Sequence, residues 1–307
     1  MSTNCPGIYC GRIWINDSWS NCMACPRGFR SNNDHICEQC NNDLQLYDWI
    51  YLSFMVVIFV LIQLYFVDKS TRSDKLNFVS MTFFTVIFGE TILASILSVL
   101  LSNDWKLELK TCGVKSFSDW YTLFYNPSLN EHFHCTNEAV YPLYSIVFLF
   151  YLISLGFVLI RHFYLRIVSC IIYLLTSSSQ IKNLYSKNFL TKNIYYVLYS
   201  IPALMFTHAM FAGVIYYIFP YLLIIGSVIS IAIHFSYHID QSYQYLFHAM
   251  FHFRNLIIVL CHWSLHIFGI VSITEMKSNY DYLLLLLVPF PTLFYIFTSK
   301  FSDPSKI

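Results

Sequence analysis

The chain has 307 residues, 57% hydrophobic and 19% aromatic, with only 11% charged and a formal net charge of +1. A soluble domain carries about a quarter charged residues, so this composition excludes an ordinary water-soluble fold. The near-neutral balance also supplies no basic surface for nucleic acid. The length suits about seven membrane spans joined by short loops, with no room for a soluble catalytic domain.

The opening MSTNCPGIYC is polar and interrupted by Cys5 and Pro6, so no signal peptide is visible and the first span is expected to act as its own targeting signal. Residues 1–47 hold Cys5, Cys10, Cys22, Cys25, Cys37 and Cys40 among few apolar residues, too few to fold by burial alone. Cys22-x2-Cys25 and Cys37-x2-Cys40 have zinc-ribbon spacing, which in a reducing compartment would favour metal. In an oxidising one, three disulfides are expected, each contributing about 2–4 kcal/mol. Asn16-Asp17-Ser18 is a glycosylation sequon; Asn126-Pro127-Ser128 is disqualified by its proline.

Residues 49–67, WIYLSFMVVIFVLIQLYFV, pass without a charge and span about 30 Å as a helix, the thickness of the bilayer's hydrocarbon. Acidic residues (Asp34, Glu38, Asp43, Asp48) precede this stretch and Lys69, Arg72 and Lys75 follow it. By the positive-inside rule the N-terminal segment faces away from the cytosol, outside or in a lumen. This orientation selects disulfides over zinc.

A second span is expected over 77–101. Glu90 lies near its centre, where a charge costs about 3 kcal/mol and must face the bundle interior. Either Glu90 handles a proton or ligand, or it makes a plain helix–helix hydrogen bond beside Gly89 and Thr91. Loop 102–140 returns to the lumen with Cys112 and Cys135, which makes eight cysteines on one side; the simplest expectation pairs these two with each other. Ser118-Asp119-Trp120-Tyr121 reads as an interfacial turn of helix whose Asp119 stays wet.

Further spans are expected at 141–160, 194–219, 220–237, 256–274 and 282–299. Between 161 and 193 the sequence reads as a cytosolic loop. The half-length apolar piece Ile167 to Leu175 within it is interfacial or re-entrant, and an eighth span is the alternative for 163–176. Phe219-Pro220-Tyr221 reads as a tight luminal turn, and residues 238–254 return to the cytosol. Pro289 and Pro291 should kink or unwind the last span. The fold class is therefore an all-α polytopic membrane protein, about seven transmembrane helices behind a small disulfide-rich luminal segment, with its C-terminus cytosolic.

His234/His238, His248/His252 and His262/His266 are pairs at i, i+4, which places both rings of a pair on one helix face as in metal-binding helices. A membrane-embedded metal-dependent enzyme is one alternative function. Against it, only Asp240 is near enough in sequence to complete the ligation, and a histidine near a helix end is usually a polar tip at the headgroups. We therefore assign no metal, cofactor or catalytic residue. A seven-span receptor is the other alternative, but no Asp-Arg-Tyr-like triplet follows the third span and the seventh lacks an Asn-Pro-x-x-Tyr equivalent.

CPGIYCGR, CPRGFRSN, LYDWIYLSFM, SDWYTLFYNPS, HCTNEAVYPLYSIVF, FPY, CHWSLHIFGIVSI and LVPFPTLFYIFTSKFSDPS occur in this order from Cys5 to Ser305. Together they resemble the family of membrane proteins associated with c-Jun N-terminal kinase, seven-span proteins of the endoplasmic reticulum. Cys261 stands where the family pattern has serine, and of the histidine pairs only His262/His266 belongs to it. The resemblance implies a non-catalytic adaptor. It would help a membrane-anchored RING ubiquitin ligase and the proteasome dispose of misfolded proteins, and would modulate stress-kinase signalling. On that reading Lys182, Lys187 and Lys192, interleaved with Leu184, Phe189 and Leu190, are a candidate kinase-docking strip; the plainer reading is a solvated juxtamembrane loop.

Overall fold

The computed structural model describes residues 5–15, 17–71, 78–103, 105–125, 135–176, 187–238 and 240–301. The chain divides into two compact units, Met1–Gly213 and Val214–Ile307.

The first unit begins with a head of short antiparallel ladders. β1 (Cys10–Gly11) pairs with β4 (Met23–Ala24), β2 (Trp14–Ile15) with β3 (Ser18–Trp19), and β5 (Phe29–Ser31) with β6 (Cys37–Gln39). β7 (Asn42–Asp43) pairs with β8 (Lys110–Thr111), which draws the distant loop against the head. Ladders of two or three residues bury almost nothing, so sulfur holds them. Cys5–Cys22 and Cys25–Cys37 close short loops, while Cys40–Cys112 and Cys10–Cys135 span 72 and 125 residues. Gly11 lies directly against one of them: a Cβ there would stand 2.6 Å from Cys37 Sγ and 2.8 Å from Cys25 Sγ.

The expected pairing of Cys112 with Cys135 is thus corrected. The β7–β8 ladder carries Cys112 to Cys40, and Cys135 packs with Cys5 and Cys10 in a cluster flanked by Cys22 and Ala24. Sequence proximity loses to the cross-strand register.

α1 (Leu46–Thr71) and α2 (Phe78–Ser102) agree closely with the first two expected spans. They are uninterrupted by proline and apolar around most of their surface, with Gln63 and Glu90 buried inside. α3 (Leu143–Thr176) is different: 34 residues in one helix, about 51 Å long. The piece at 167–175 is neither re-entrant nor a separate span but the continuation of α3. Within the unit, Phe59 meets Phe150 edge-on at 5.5 Å, and Val67, Phe83, Ile87 and Leu165 form a buried cluster.

α4 (Lys187–Ser236) also runs on where a turn was expected, through Phe219-Pro220-Tyr221. Pro220 interrupts only a few backbone bonds, and the apolar residues on both sides of it continue the helix. Its apolar stretch, Ile194–Ser236, covers about 65 Å, twice what one crossing needs. Residues 187–193, assigned to a loop by sequence, are helical as well.

The second unit holds the end of α4, the short α5 (Tyr243–Met250) within the expected 238–254 connection, α6 (Phe253–Thr274) and α7 (Phe290–Thr298). A 3-10 turn, Asn279–Leu287, precedes α7, so the last span is broken at its prolines as expected. Ile231, Phe235, Leu246, Met250, Val259 and Ile296 are buried together, with Trp263 and Tyr295 against them. At Gly269 a Cβ would lie 2.6 Å from Ile224 Cγ1 and 3.1 Å from the Pro220 carbonyl oxygen, so α6 and α4 are in backbone-close contact there. Among the described residues six helices are long and apolar enough to cross a membrane, α4 among them.

Candidate functional site

The strongest polar constellation inside the membrane helices is built on Glu90 of α2. Its carboxylate receives the Arg161 guanidinium of α3: Nε donates to Oε1 at 2.9 Å and to Oε2 at 3.1 Å, and Nη2 donates to Oε2. Nη2 also donates to Gln63 Oε1 of α1 at 2.6 Å. Arg161 and Gln63 are fully buried, and Glu90 nearly so. The planar fork of arginine matches both carboxylate oxygens, and each charge offsets part of the other's cost of burial. The bidentate contact, with Gln63 on the same guanidinium, ties α1, α2 and α3 together at this level.

Arg161 and Gln63 were missed as partners of Glu90. Arg161 ends the apolar run 143–160 and reads as the start of a loop, although a second apolar run follows it almost at once. An arginine between two apolar runs, with an intramembrane glutamate elsewhere, is the signal that could have found the pair.

A second constellation docks the head on the loop. Asp119, on a 3-10 turn Phe117–Trp120, receives the Tyr9 hydroxyl at 3.0 Å, Arg30 Nη2 at 2.9 Å and the Ser116 hydroxyl at 3.1 Å on one oxygen. The backbone N–H groups of Lys115 and Ser116 reach the other at 2.8 and 3.0 Å. Asp119 is buried, not wet as the sequence suggested, because these five donors replace its water. Burial alone would raise its carboxyl, but the Lys115 and Ser116 amides and the Arg30 charge prevail and hold it below the ordinary value. Arg30 Nη1 continues to the carbonyl oxygens of Gly113 and Ala139. Glu138 accepts the Tyr144 and Ser145 N–H groups at the start of α3; burial raises its carboxyl in spite of them.

The histidines divide. His262 bonds the Ile258 carbonyl through Nδ1 at 2.6 Å and the Ser230 hydroxyl through Nε2 at 2.8 Å, and His266 Nδ1 meets the Ser227 hydroxyl at 3.2 Å. These two link α6 to α4. His234 and His238 have ring centroids 5.8 Å apart, while His248 and His252 are exposed. Among the described residues no group of three His, Cys, Asp or Glu side chains is gathered for a metal. Lys187 opens α4 and Lys192 lies in its second turn; Asn16 and Lys182 lie outside the described residues.

A disulfide-stapled head, bundled apolar helices and an intramembrane ion pair define a polytopic membrane protein with a covalently fixed extramembrane cap. The chain belongs to the family described as JNK1/MAPK8-associated membrane protein, whose model matches residues 5–304. Relatives carrying that description from Mus musculus and Homo sapiens are each 35% identical over 99% of this chain and 95% of their own. A homolog from Caenorhabditis elegans is 29% identical over 94% of this chain and 85% of its own. No solved structure matches.

Proposed function

We propose that the chain is a non-catalytic adaptor of the endoplasmic reticulum membrane, with its head in the lumen. In this role it links a membrane-anchored RING ubiquitin ligase and the proteasome in the disposal of misfolded proteins and modulates c-Jun N-terminal kinase signalling. The observation that carries the orientation is the head itself: four disulfides within residues 5–135 require an oxidising compartment. Association with the kinase rests on the description shared by the family and its relatives. The Glu90–Arg161 clamp suits a scaffold whose helices hold one arrangement while partners bind outside it.

The test is recovery of partners from cross-linked membranes expressing a tagged chain. Kinase, ligase and proteasome subunits should all be enriched over an unrelated polytopic control. Enrichment of none of them would sink the adaptor reading. Replacing Lys182, Lys187 and Lys192 by Ser should reduce kinase recovery alone if that strip is the docking site.

A further inference from the structure

The helices of the first unit leave an apolar groove between them. It has a volume of about 280 Å³ and is walled by side chains from residues 49–57 of α1, 95–99 of α2 and 146–150 of α3. All three stretches lie at the head-side ends of their helices. Those of α2 and α3 stand three to seven residues from Ser102 and Leu143, and that of α1 descends about 12 Å from Trp49. Half the hydrocarbon thickness is about 15 Å, so the groove runs from headgroup level almost to the bilayer midplane. Phe150, met edge-on by Phe59, is its deepest point on α3; Gln63, Glu90 and Arg161 join the three helices farther in. The groove is open along its length: Trp49 is 44% exposed, Ser53 is exposed, and Leu52, Val56, Ser95 and Val99 are half-buried.

The wall selects the occupant. Its Ser53, Ser95 and Ser98 hydroxyls donate to the Trp49, Thr91 and Ser95 carbonyls of their own helices, each at 2.8 Å. Those protons are committed, and water, which needs several polar partners, finds too few here. A transmembrane helix, about 10–12 Å across, is too wide for the space. The volume also falls below the roughly 300–1,000 Å³ of pockets that enclose a drug-sized ring system. A flexible hydrocarbon chain fits, and the medium around these helices supplies it. Such a chain restores the dispersion contacts that a void beside Val56, Val99 and Val147 would forfeit.

We propose that the groove holds one acyl chain of a phospholipid of the head-side leaflet. Its ester region lies level with Trp49, at the depth indoles favour, and its methylenes run down to Phe150. The lipid is then part of the packing of α1, α2 and α3 on the head side of the Arg161 clamp.

The test uses the full chain in phosphatidylcholine bilayers doped with a phosphatidylcholine that carries a diazirine near the middle of one acyl chain. Adducts are located by peptide mass spectrometry after irradiation. Val56 is half-buried in the groove, whereas Ile96, at similar depth on α2, is 43% exposed and outside it. Passing bilayer lipid would favour Ile96; a seated chain should label Val56 and Val99 severalfold more than Ile96. Val56→Phe and Val99→Phe fill the groove from different helices. Each should remove most of the labelling of the facing wall and leave Ile96 unchanged. Ile96 labelled as strongly as Val56 in the wild type overturns the site without recourse to a variant. Undiminished labelling of the facing wall in a folded variant overturns it as well. Stronger labelling of the groove by a diazirine sterol, or cross-links from it to a second copy of the chain, overturns the choice of occupant.

Discussion

Arg161 is the residue on which the packing of the first three helices converges, since one guanidinium binds side chains of α1 and α2 at once. Removing one member of a buried pair strands the other, which costs about 3–5 kcal/mol, whereas replacing both by apolar groups of similar volume is close to neutral. Glu90→Gln and Arg161→Met should therefore each lower unfolding stability in detergent by about that amount, and the Glu90→Leu/Arg161→Met double variant should recover most of it. A double variant as unstable as the singles would show that the pair does more than cancel its own charges. At Asp119 the test is pH. Its lowered carboxyl contributes stability that is fully present above the ordinary value of 3.8 and is lost as pH falls through the lower folded value. Glu138, raised from 4.5 by burial, has the opposite sign: its contribution is present below 4.5 and fades as pH rises. Asp119→Asn should weaken head docking at neutral pH, measured by protection of head amides from exchange, and flatten the loss below pH 3.8. At this scale the sequence makes Glu90 legible as a polar group facing the bundle interior. It does not reveal the partner, because an arginine at the end of an apolar run fits a loop equally well.

The helices show where local signals suffice and where they do not. α1, α2 and α6 start and stop within four residues of the expected bounds, since long apolar runs bordered by charge leave little choice. α3 and α4 overrun theirs. In α3 the stop signal was a charge, and that charge is met by another helix; in α4 it was a proline motif, and one proline between two apolar runs interrupts too few backbone bonds to end the helix. The close contact at Gly269 gives the corresponding prediction. Gly269→Leu must displace Ile224 or the Pro220 backbone, and overpacking of this kind costs about 1–3 kcal/mol. Thermal unfolding should shift down accordingly, while Gly226→Leu, where a Cβ meets nothing within 4 Å, should leave it nearly unchanged.

For the whole molecule the even number of cysteines was readable and their connectivity was not: eight allow 105 pairings, and contacts between distant segments, such as the β7–β8 ladder and the Arg30–Asp119 pair, select among them. The observed pattern is open to a direct check. A protease site inserted between Cys40 and Leu46 cuts the head from α1. With Cys40–Cys112 and Cys10–Cys135 in place, the head should stay with the membrane fragment on a non-reducing gel and separate only after reduction. Had Cys112 paired with Cys135, the cut alone would free it.

The long bridges also impose an order on synthesis. Cys10 leaves the ribosome 125 residues before its partner and Cys40 leaves 72 before its own. At about 5–20 residues per second the earlier thiol waits on the order of ten seconds. Two hydrophobic segments must enter the bilayer during that interval. The head is therefore made before these two helices and locked only after them, and its nascent thiols need guarding against wrong partners until the loop arrives.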